Sequence, residues 1–368
     1  MRQGWEYKKL GDSCVIEYGT RVVQKKDGGT IYPVYGGGGE TFRMDKYNRE
    51  NCLVVARFAM SRTCVRYVTG KFFLNDSGLS INAGKELLQS YLNHHILYLN
   101  DDIYNLGKGA AQRNLDVKSL RNLIIAIPPL STQLSIVSEL DKINELIRLK
   151  KEQLKDYDNL AQSIFYEMFG DPVVNEKGWE VKKLGEVCEC ITDGDHMPPP
   201  KSDTGIPFVT IGNVNKASRQ IDFDNTYFVP RDYFDNIPNI KKPRRGDVLY
   251  TVTGSYGIPI IINYDKEFCF QRHIGLLRPK DFMSPVFLCM WALNDRTKGQ
   301  ADMVATGIAQ KTVSLKSLRN FAIILPPLPL QQLFAQRIEL IEQQKAEIQS
   351  TIADLETLLA SRMQYWFD

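Results

Sequence analysis

The chain has 368 residues, 43% of them hydrophobic and 24% charged, with a formal net charge of +3. That length suggests about two domains with a sizeable core, and so small a positive charge is no evidence of a nucleic-acid partner unless it is clustered on one face. No run of eighteen apolar residues offers a membrane span, MRQGWEYKK lacks the apolar stretch of a secretory signal, and seven scattered cysteines argue against a disulfide framework, so a reducing cytoplasm is expected.

From the N-terminus, GWEYKKLG (4–11) opens a segment, residues 1–128, in which short β-rich runs alternate with Gly, Asn, Asp and Pro clusters. CLVVARF (52–58) and VRYVTGKFFL (65–74) read as strands, LLQSYLNHHILYLN (87–100) as a helix, and LIIAI (123–127) as a short buried strand. Pro128 and Pro129 then force extended backbone. Behind them apolar residues recur at spacings of four and three: Ile136, Leu140, Ile143, Ile147, Leu154, Tyr157, Ala161 and Ile164. Residues 172–326 repeat the plan, with GWEVKKLG (178–185), strands DVLYTVTG (247–254) and IPIIINY (258–264), helix SPVFLCMWALN (284–294), and strand FAIIL (321–325). After Pro326 and Pro327 the helical spacing returns at Phe334, Ile338, Ile341, Ile348, Ile352, Leu355 and Leu359.

Both apolar runs follow a heptad pattern over about five heptads, interrupted by Lys150 and Lys345, polar residues of the kind that set register. Each predicts a helix of about 37 residues, roughly 55 Å long. A narrow apolar seam does not hold a helix by itself. The expected solution is antiparallel pairing of the two seams, a coiled-coil rod between two globular parts; packing of each helix on its own domain is the alternative.

The matches between the halves are specific. GWEYKKLG and GWEVKKLG lie 174 positions apart. AAQRNLDVKSLRN (110–122) and IAQKTVSLKSLRN (308–320) lie 198 apart, and so do QSIFYEMF (162–169) and ASRMQYWF (360–367). The chain is a duplication whose ends match while the centres diverge: residues 12–105 carry IYPVYGGGGETFRMDKY, and the corresponding span carries DGDHMPPP and GIPFVTIGNVN. A solenoid would keep its repeats alike throughout. This pattern predicts one frame with two different inserts.

Catalytic motifs are weak. GGGG (36–39) has no clear helix behind it and reads as a permissive turn. No phosphate-binding GxxxxGK[ST] occurs, and the proline pairs lack the preceding Asn of an adenine methyltransferase motif. Glu6–Lys8 and Glu180–Lys182 have the E-x-K form of a nuclease site, but only Asp171 stands ahead of one copy. Cys188, Cys190 and His196 lack the second ligand pair of a zinc site, and His94-His95 falls in a helix.

GWExKKLG at the head of each half, YPVYGGGG (32–39), DGDH (193–196), GIPFVTIGNV (205–214), GDVLYTVTGSYG (246–257) and LRN…PPLxxQ, in this doubled order with two heptad helices, resemble the specificity (S) subunit of type I restriction–modification systems. The resemblance spans essentially the whole chain. It implies an α+β fold: two mixed α/β target recognition domains (1–130 and 172–328) joined by two long antiparallel coiled-coil helices (131–171 and 329–368), a pseudo-two-fold internal repeat. It further implies that each domain reads one half of a bipartite, asymmetric double-stranded DNA site. The helices would set the unread gap and dock two modification (methyltransferase) subunits, joined by restriction (translocase/endonuclease) subunits. No cofactor or metal is then expected in this chain; S-adenosylmethionine, ATP and Mg2+ belong to the partners. The first domain lacks the DGDH element, so the two sets of contact residues need not correspond.

Phosphate and base contacts draw on Lys and Arg. Candidates in the first half are Arg21, Lys25, Lys26, Arg43, Arg57, Arg62, Arg66, Lys108 and Arg113. In the second they are His196, Lys201, Arg219, Lys241, Lys242, Arg244, Arg245, Arg272, Lys298 and Lys311, with KKPRR (241–245) the densest cluster. Gln112 and Gln310 occupy matching positions, which favours a shared role over base reading. A stand-alone nuclease and a scaffold without sequence preference are the competing functions.

Overall fold

The computed structural model describes residues 2–109, 112–216, 218–307 and 310–368. It divides into two compact units, Met1–Glu152 with Gln349–Asp368, and Gln153–Ile348.

In the first unit, strand β1 (Glu6–Lys9) pairs antiparallel with β8 (Ile124–Ile127), joining the head of the repeat to its tail. Between them lie β2 (Cys14–Tyr18), the hairpin β3 (Tyr32–Gly36) and β4 (Gly39–Met44), then β5 (Arg49–Ala56), β6 (Val65–Leu74) and β7 (Gly78–Ala83). They form one sheet in the order β2-β7-β5-β6-β3-β4. Leu53, Val55, Leu79 and Ile81 on its inner face are buried with Tyr91, Leu92 and Ile96 of α1 (Gln89–Tyr98). Each such side chain contributes about 1.5–3 kcal/mol on burial. β5 begins earlier than its apolar run because Arg49 and Glu50 pair with Phe72 and Lys71 across a bulge, where Asn51 takes φ 46°. GGGG is the β3–β4 turn, and Arg66 donates to Gly37 O at 2.9 Å to hold it.

The second unit repeats this frame. β9 (Glu180–Lys183) pairs with β17 (Ala322–Leu325). β10 (Cys188–Asp193), β13 (Val248–Thr251), β14 (Pro259–Ile261) and β16 (Ile274–Pro279) form an antiparallel sheet in the order β10-β16-β13-β14. That is the connectivity of β2-β7-β5-β6, so the divergent centres share one scaffold. The inserts differ: β3–β4 extends the first sheet through a parallel β3–β6 pair. In the second unit β11 (Ile206–Val209), β12 (Tyr227–Val229) and β15 (Cys269–Phe270) make a separate sheet. α3 (Pro285–Leu293) starts on Ser284, whose hydroxyl accepts from Phe287 N, with Pro285 at its first position.

The repeated motifs are the joints of this frame. Arg121 donates to Ile16 O and Arg319 to Ile191 O. A Cβ on Gly11 would lie 2.9 Å from that of Arg121, which excludes other residues at the end of the first KKLG; at Gly185 the same distance to Arg319 is 3.4 Å, an ordinary contact. Gln133, fully buried, donates to Pro128 O and Glu86 O and accepts from Leu88 N; Gln331 does the same with Pro326 O, Phe282 O and Ser284 N.

The long helices are α2 (Leu130–Phe169) and α4 (Leu328–Phe367), 40 residues each. Within the first unit Glu139 meets Arg362 and Trp366, and Lys151 meets Glu356. Within the second Asp158 meets Lys345, and Phe165 packs on Phe334. In each unit one number falls as the other rises, so the segments run antiparallel. Ile136, Leu140, Ile143, Ile147, Ile338, Ile341, Ile348 and Ile352 are buried, and Leu154 and Leu355 half-buried. The seam also enters the domain cores: Ile136 and Leu140 join the first, and Phe165, Phe169, Phe334, Ile338 and Ile341 the second. Both expected modes of burial therefore operate together. Lys345, 8% exposed, donates to Asp158 at 3.0 Å and Glu342 at 2.9 Å, the paired polar position of a register-setting residue. No helix among the described residues is long and apolar enough to cross a membrane.

Candidate nucleic-acid interface

In each unit the loop after the central strand is tied to the turn that precedes the SLRN helix. In the first, Leu115 N bonds Arg57 O and Met60 N bonds Arg113 O. In the second, Val313 N bonds Val252 O and Gly254 N bonds Lys311 O, with Val313 and Lys311 198 positions beyond Leu115 and Arg113. Gly109 and Gly307 hold φ 113° and 116° there, a backbone that favours glycine. Residues 110–111 and 308–309 of the repeated Ala-Gln motif lie outside the described residues; Gln112 and Gln310 are both exposed.

This edge gathers several candidates of the first unit. The Arg57 guanidinium lies 4.9 Å from the Tyr18 ring and 4.4 Å from Phe58, and donates to Asp76 O. Arg62 and Arg113 lie 5.0 and 4.8 Å from the Tyr104 ring. Lys108 is paired with Asp116 at 2.6 Å, which draws the Asp116 carboxyl down to about 2. Arg43 sits instead on the β3–β4 hairpin, bonded to Ile31 O and near Glu40, while Arg21, Lys25 and Lys26 are exposed and make no salt bridge among the described residues.

In the second unit Lys311 belongs to the corresponding edge, and Lys298 packs beside Gly257 in the loop after β13. Arg272 adjoins His273, whose backbone carbonyl accepts from Val252 N; burial and the Arg272 charge lower the His273 pKa. His196 bonds Asp193 at 2.9 Å, and Lys201 lies 4.9 Å from the Tyr227 ring. The KKPRR cluster is held locally: Lys241 faces Asp193, Lys242 caps Asp235 O, Arg244 pairs with Glu189, and Arg245 forks onto Asp265. Arg219, at φ 54°, turns toward Asp158 and Glu342 of the long helices.

The remaining motifs have local partners. Lys8 pairs with Glu6 and Lys182 with Glu180 within their strands, and Asp171 binds Arg296 and caps the Val173 and Val174 amides. Cys188 is buried, and burial pushes its thiol up to about 12. His94 bonds Asp141, and His95 stacks on Phe367. Sequence reasoning did not single out Tyr18, Phe58 and Tyr104, the rings under the arginines. Phe58 adjoins Arg57 in the chain, but Tyr18 and Tyr104 reach Arg57, Arg62 and Arg113 only through the folded strand and helix order, which no local periodicity announces.

A family model described as the type I restriction modification DNA specificity domain matches residues 2–156 and 176–356. The type I restriction enzyme MjaVIII specificity subunit of Methanocaldococcus jannaschii is 22% identical over 299 residues, 74% of this chain and 69% of that protein. A putative type I specificity subunit, S.HindORF215P of Haemophilus influenzae, is 23% identical over 283 residues, 73% and 71% of the two chains. The crystal structure of the type I restriction–modification S subunit from M. genitalium shares the fold, with a TM-score of 0.56 at 15% identity over 99% of this chain and 96% of that one. With both repeats matched, the chain belongs to the type I restriction–modification specificity-subunit family, whose members select the DNA site and do not themselves catalyse.

Proposed function

We propose that the two units read two different halves of one split, asymmetric double-stranded DNA site. Residues 1–130 and 172–328 serve as the recognition domains, and 131–171 and 329–368 as spacer helices that fix the unread gap. One observation carries this reading: an identical four-strand frame, closed by identical joints, holds two inserts of different architecture. A duplicated frame suits two copies of one partner, here the modification subunits, while divergent inserts suit two different half-sites. S-adenosylmethionine, and the ATP and Mg2+ of the restriction subunits, would be bound by those partners, adenine being the methylated base. We place the chain in the cytoplasm, where its seven unpaired cysteines suit a reducing compartment. The lysines and arginines at the loop edges, with the exposed Arg21, Lys25 and Lys26, are the proposed DNA contacts. The test is genome-wide adenine methylation in the native host with and without this gene. Loss of one split motif on deletion is the expected result; an unchanged methylation pattern in a host that expresses the system overturns it.

A further inference from the structure

We propose that Arg62, placed over the Tyr104 ring beside Arg113, reads a guanine in the half-site recognised by the first unit. The assignment rests on the half-site role proposed above and adds a residue and a base to it.

The geometry is that of a prepared reader. Arg62 is exposed and makes no salt bridge among the described residues, while its guanidinium lies 5.0 Å from the Tyr104 ring centre. A cation–π contact restrains the guanidinium without using its N–H groups in an ion pair, and those N–H groups are the donors that fork onto guanine O6 and N7. The loop beneath it is fixed: Arg62 O accepts from Asn100 Nδ2 at 2.7 Å, and Asn100 Oδ1 accepts from Cys64 N and Val65 N, both at 3.1 Å. Arg113 donates to the Tyr104 backbone carbonyl at 3.2 Å and lies 4.8 Å from the same ring, which adds a second positive charge beside Arg62.

The comparison between units places specificity here. The backbone ties of this edge are the same in both units, yet the side chains differ. At the position 198 residues beyond Tyr104 stands Asp302, which accepts from Tyr256 OH at 2.8 Å, although Lys311, 198 beyond Arg113, keeps a positive charge there. A shared partner would call for alike chemistry on an alike frame. Unlike chemistry at one framed position suits the feature that differs between the units, the bases of the half-site.

The experiment uses the full chain assembled with its modification subunits. Methylation is measured on duplexes carrying the native split site and on a set with each base pair of each half-site replaced in turn. Exchanging residues 12–105 with those of a relative assigns one half-site to the first unit. Arg62→Ala is expected to relax discrimination at one G·C pair of that half-site by about 5- to 100-fold, leaving the other half-site and the melting temperature unchanged. A uniform loss across all duplexes marks a phosphate contact and overturns the assignment, as does unchanged discrimination. A wild-type complex with no split preference overturns the half-site reading as well, so the two failures are distinguishable.

Discussion

Arg278 and Asp247 form a bidentate pair, Nε–Oδ1 and Nη2–Oδ2 both 2.8 Å, with side chains only 8% and 1% exposed. The same guanidinium donates to Lys242 O, and Asp247 accepts from Arg244 N, so the pair pins the KKPRR turn on either side of Pro243. Breaking a buried pair leaves one charge uncompensated. Asp247→Asn is expected to destabilise the second unit by about 3–5 kcal/mol, and Arg278→Met with Asp247→Leu to recover much of that loss. Urea denaturation of the three chains checks it; a single variant within about 1 kcal/mol of wild type refutes the role.

Gln133 and Gln331 make the same three bonds in their two units, at 2.8–3.3 Å. Replacing either by Leu removes all three bonds, and the Pro128 and Pro326 carbonyls are left in buried surroundings. A stranded buried group costs about 1–3 kcal/mol, and a loss of about that size is expected in each unit. Hydrogen exchange at Leu88 and Ser284 localises the effect. Protection that stays at wild-type level in either variant contradicts the joint role.

How much of this was legible beforehand divides along local and non-local lines. Proline pairs, heptad spacing and β-rich runs are local signals, and they located both long helices and half the strands of the frame, missing β1, β2, β7 and their counterparts β9, β10 and β16. The GWExKKLG and LRN…PPLxxQ repeats were visible as identities, but their cause was not. Gly11 is glycine because of Arg121, and Gln133 is glutamine because of Leu88, contacts that only the folded chain creates. The common four-strand order of the centres was hidden for a related reason: a sheet needs alternation and register, which many unrelated side chains satisfy. The basic residues were readable as a set. Which of them are neutralised by Glu189, Asp265 or Asp158, and which lie over aromatic rings, depends on tertiary neighbours.

His95 gives the first unit a pH dependence. It is 2% exposed and stacked on Phe367 with ring centres 4.6 Å apart, and burial lowers its pKa to about 3. An unfolded His titrates near 6.5, so above that pH neither state is charged and nothing is lost. As pH falls below about 6.5 the unfolded chain takes up the proton and the folded one does not. Stability then drops by about 1.4 kcal/mol per pH unit until roughly pH 3. His95→Leu, which installs the residue found 198 positions on at Leu293, should remove this share of the acid sensitivity between pH 6 and 4. Parallel stability–pH curves for the two proteins would rule it out.

The KKPRR cluster tests the phosphate-contact proposal. Alanine at Lys241, Lys242, Arg244 and Arg245 together should weaken DNA binding and flatten the plot of log K against log salt. Four free contacts would contribute about 3.6 to that slope. Because Glu189 and Asp265 already hold two of the arginines, a change of about 1–3 is expected. Binding measured from 50 to 200 mM salt on the assembled complex decides it; an unchanged slope removes the cluster from the interface.

The long helices make the most geometric prediction. Both apolar runs keep the heptad seam, and the salt bridges Glu139–Arg362 and Asp158–Lys345 fix its antiparallel register within each unit. An insertion in one helix alone shifts every partner beyond it. Seven residues added at matching points of both helices keep the seam intact and add about 10.5 Å, at 1.5 Å per residue. DNA rises about 3.4 Å per base pair, so the gap tolerated between half-sites should lengthen by about three base pairs while both half-sites stay the same. Five residues added to both, about 140° beyond a full turn at 3.6 residues per turn, would rotate the seam out of phase and destabilise the pair rather than lengthen the gap. Methylation profiles of the two insertion variants separate these outcomes, and an unchanged gap in the seven-residue variant would show that something other than helix length sets it.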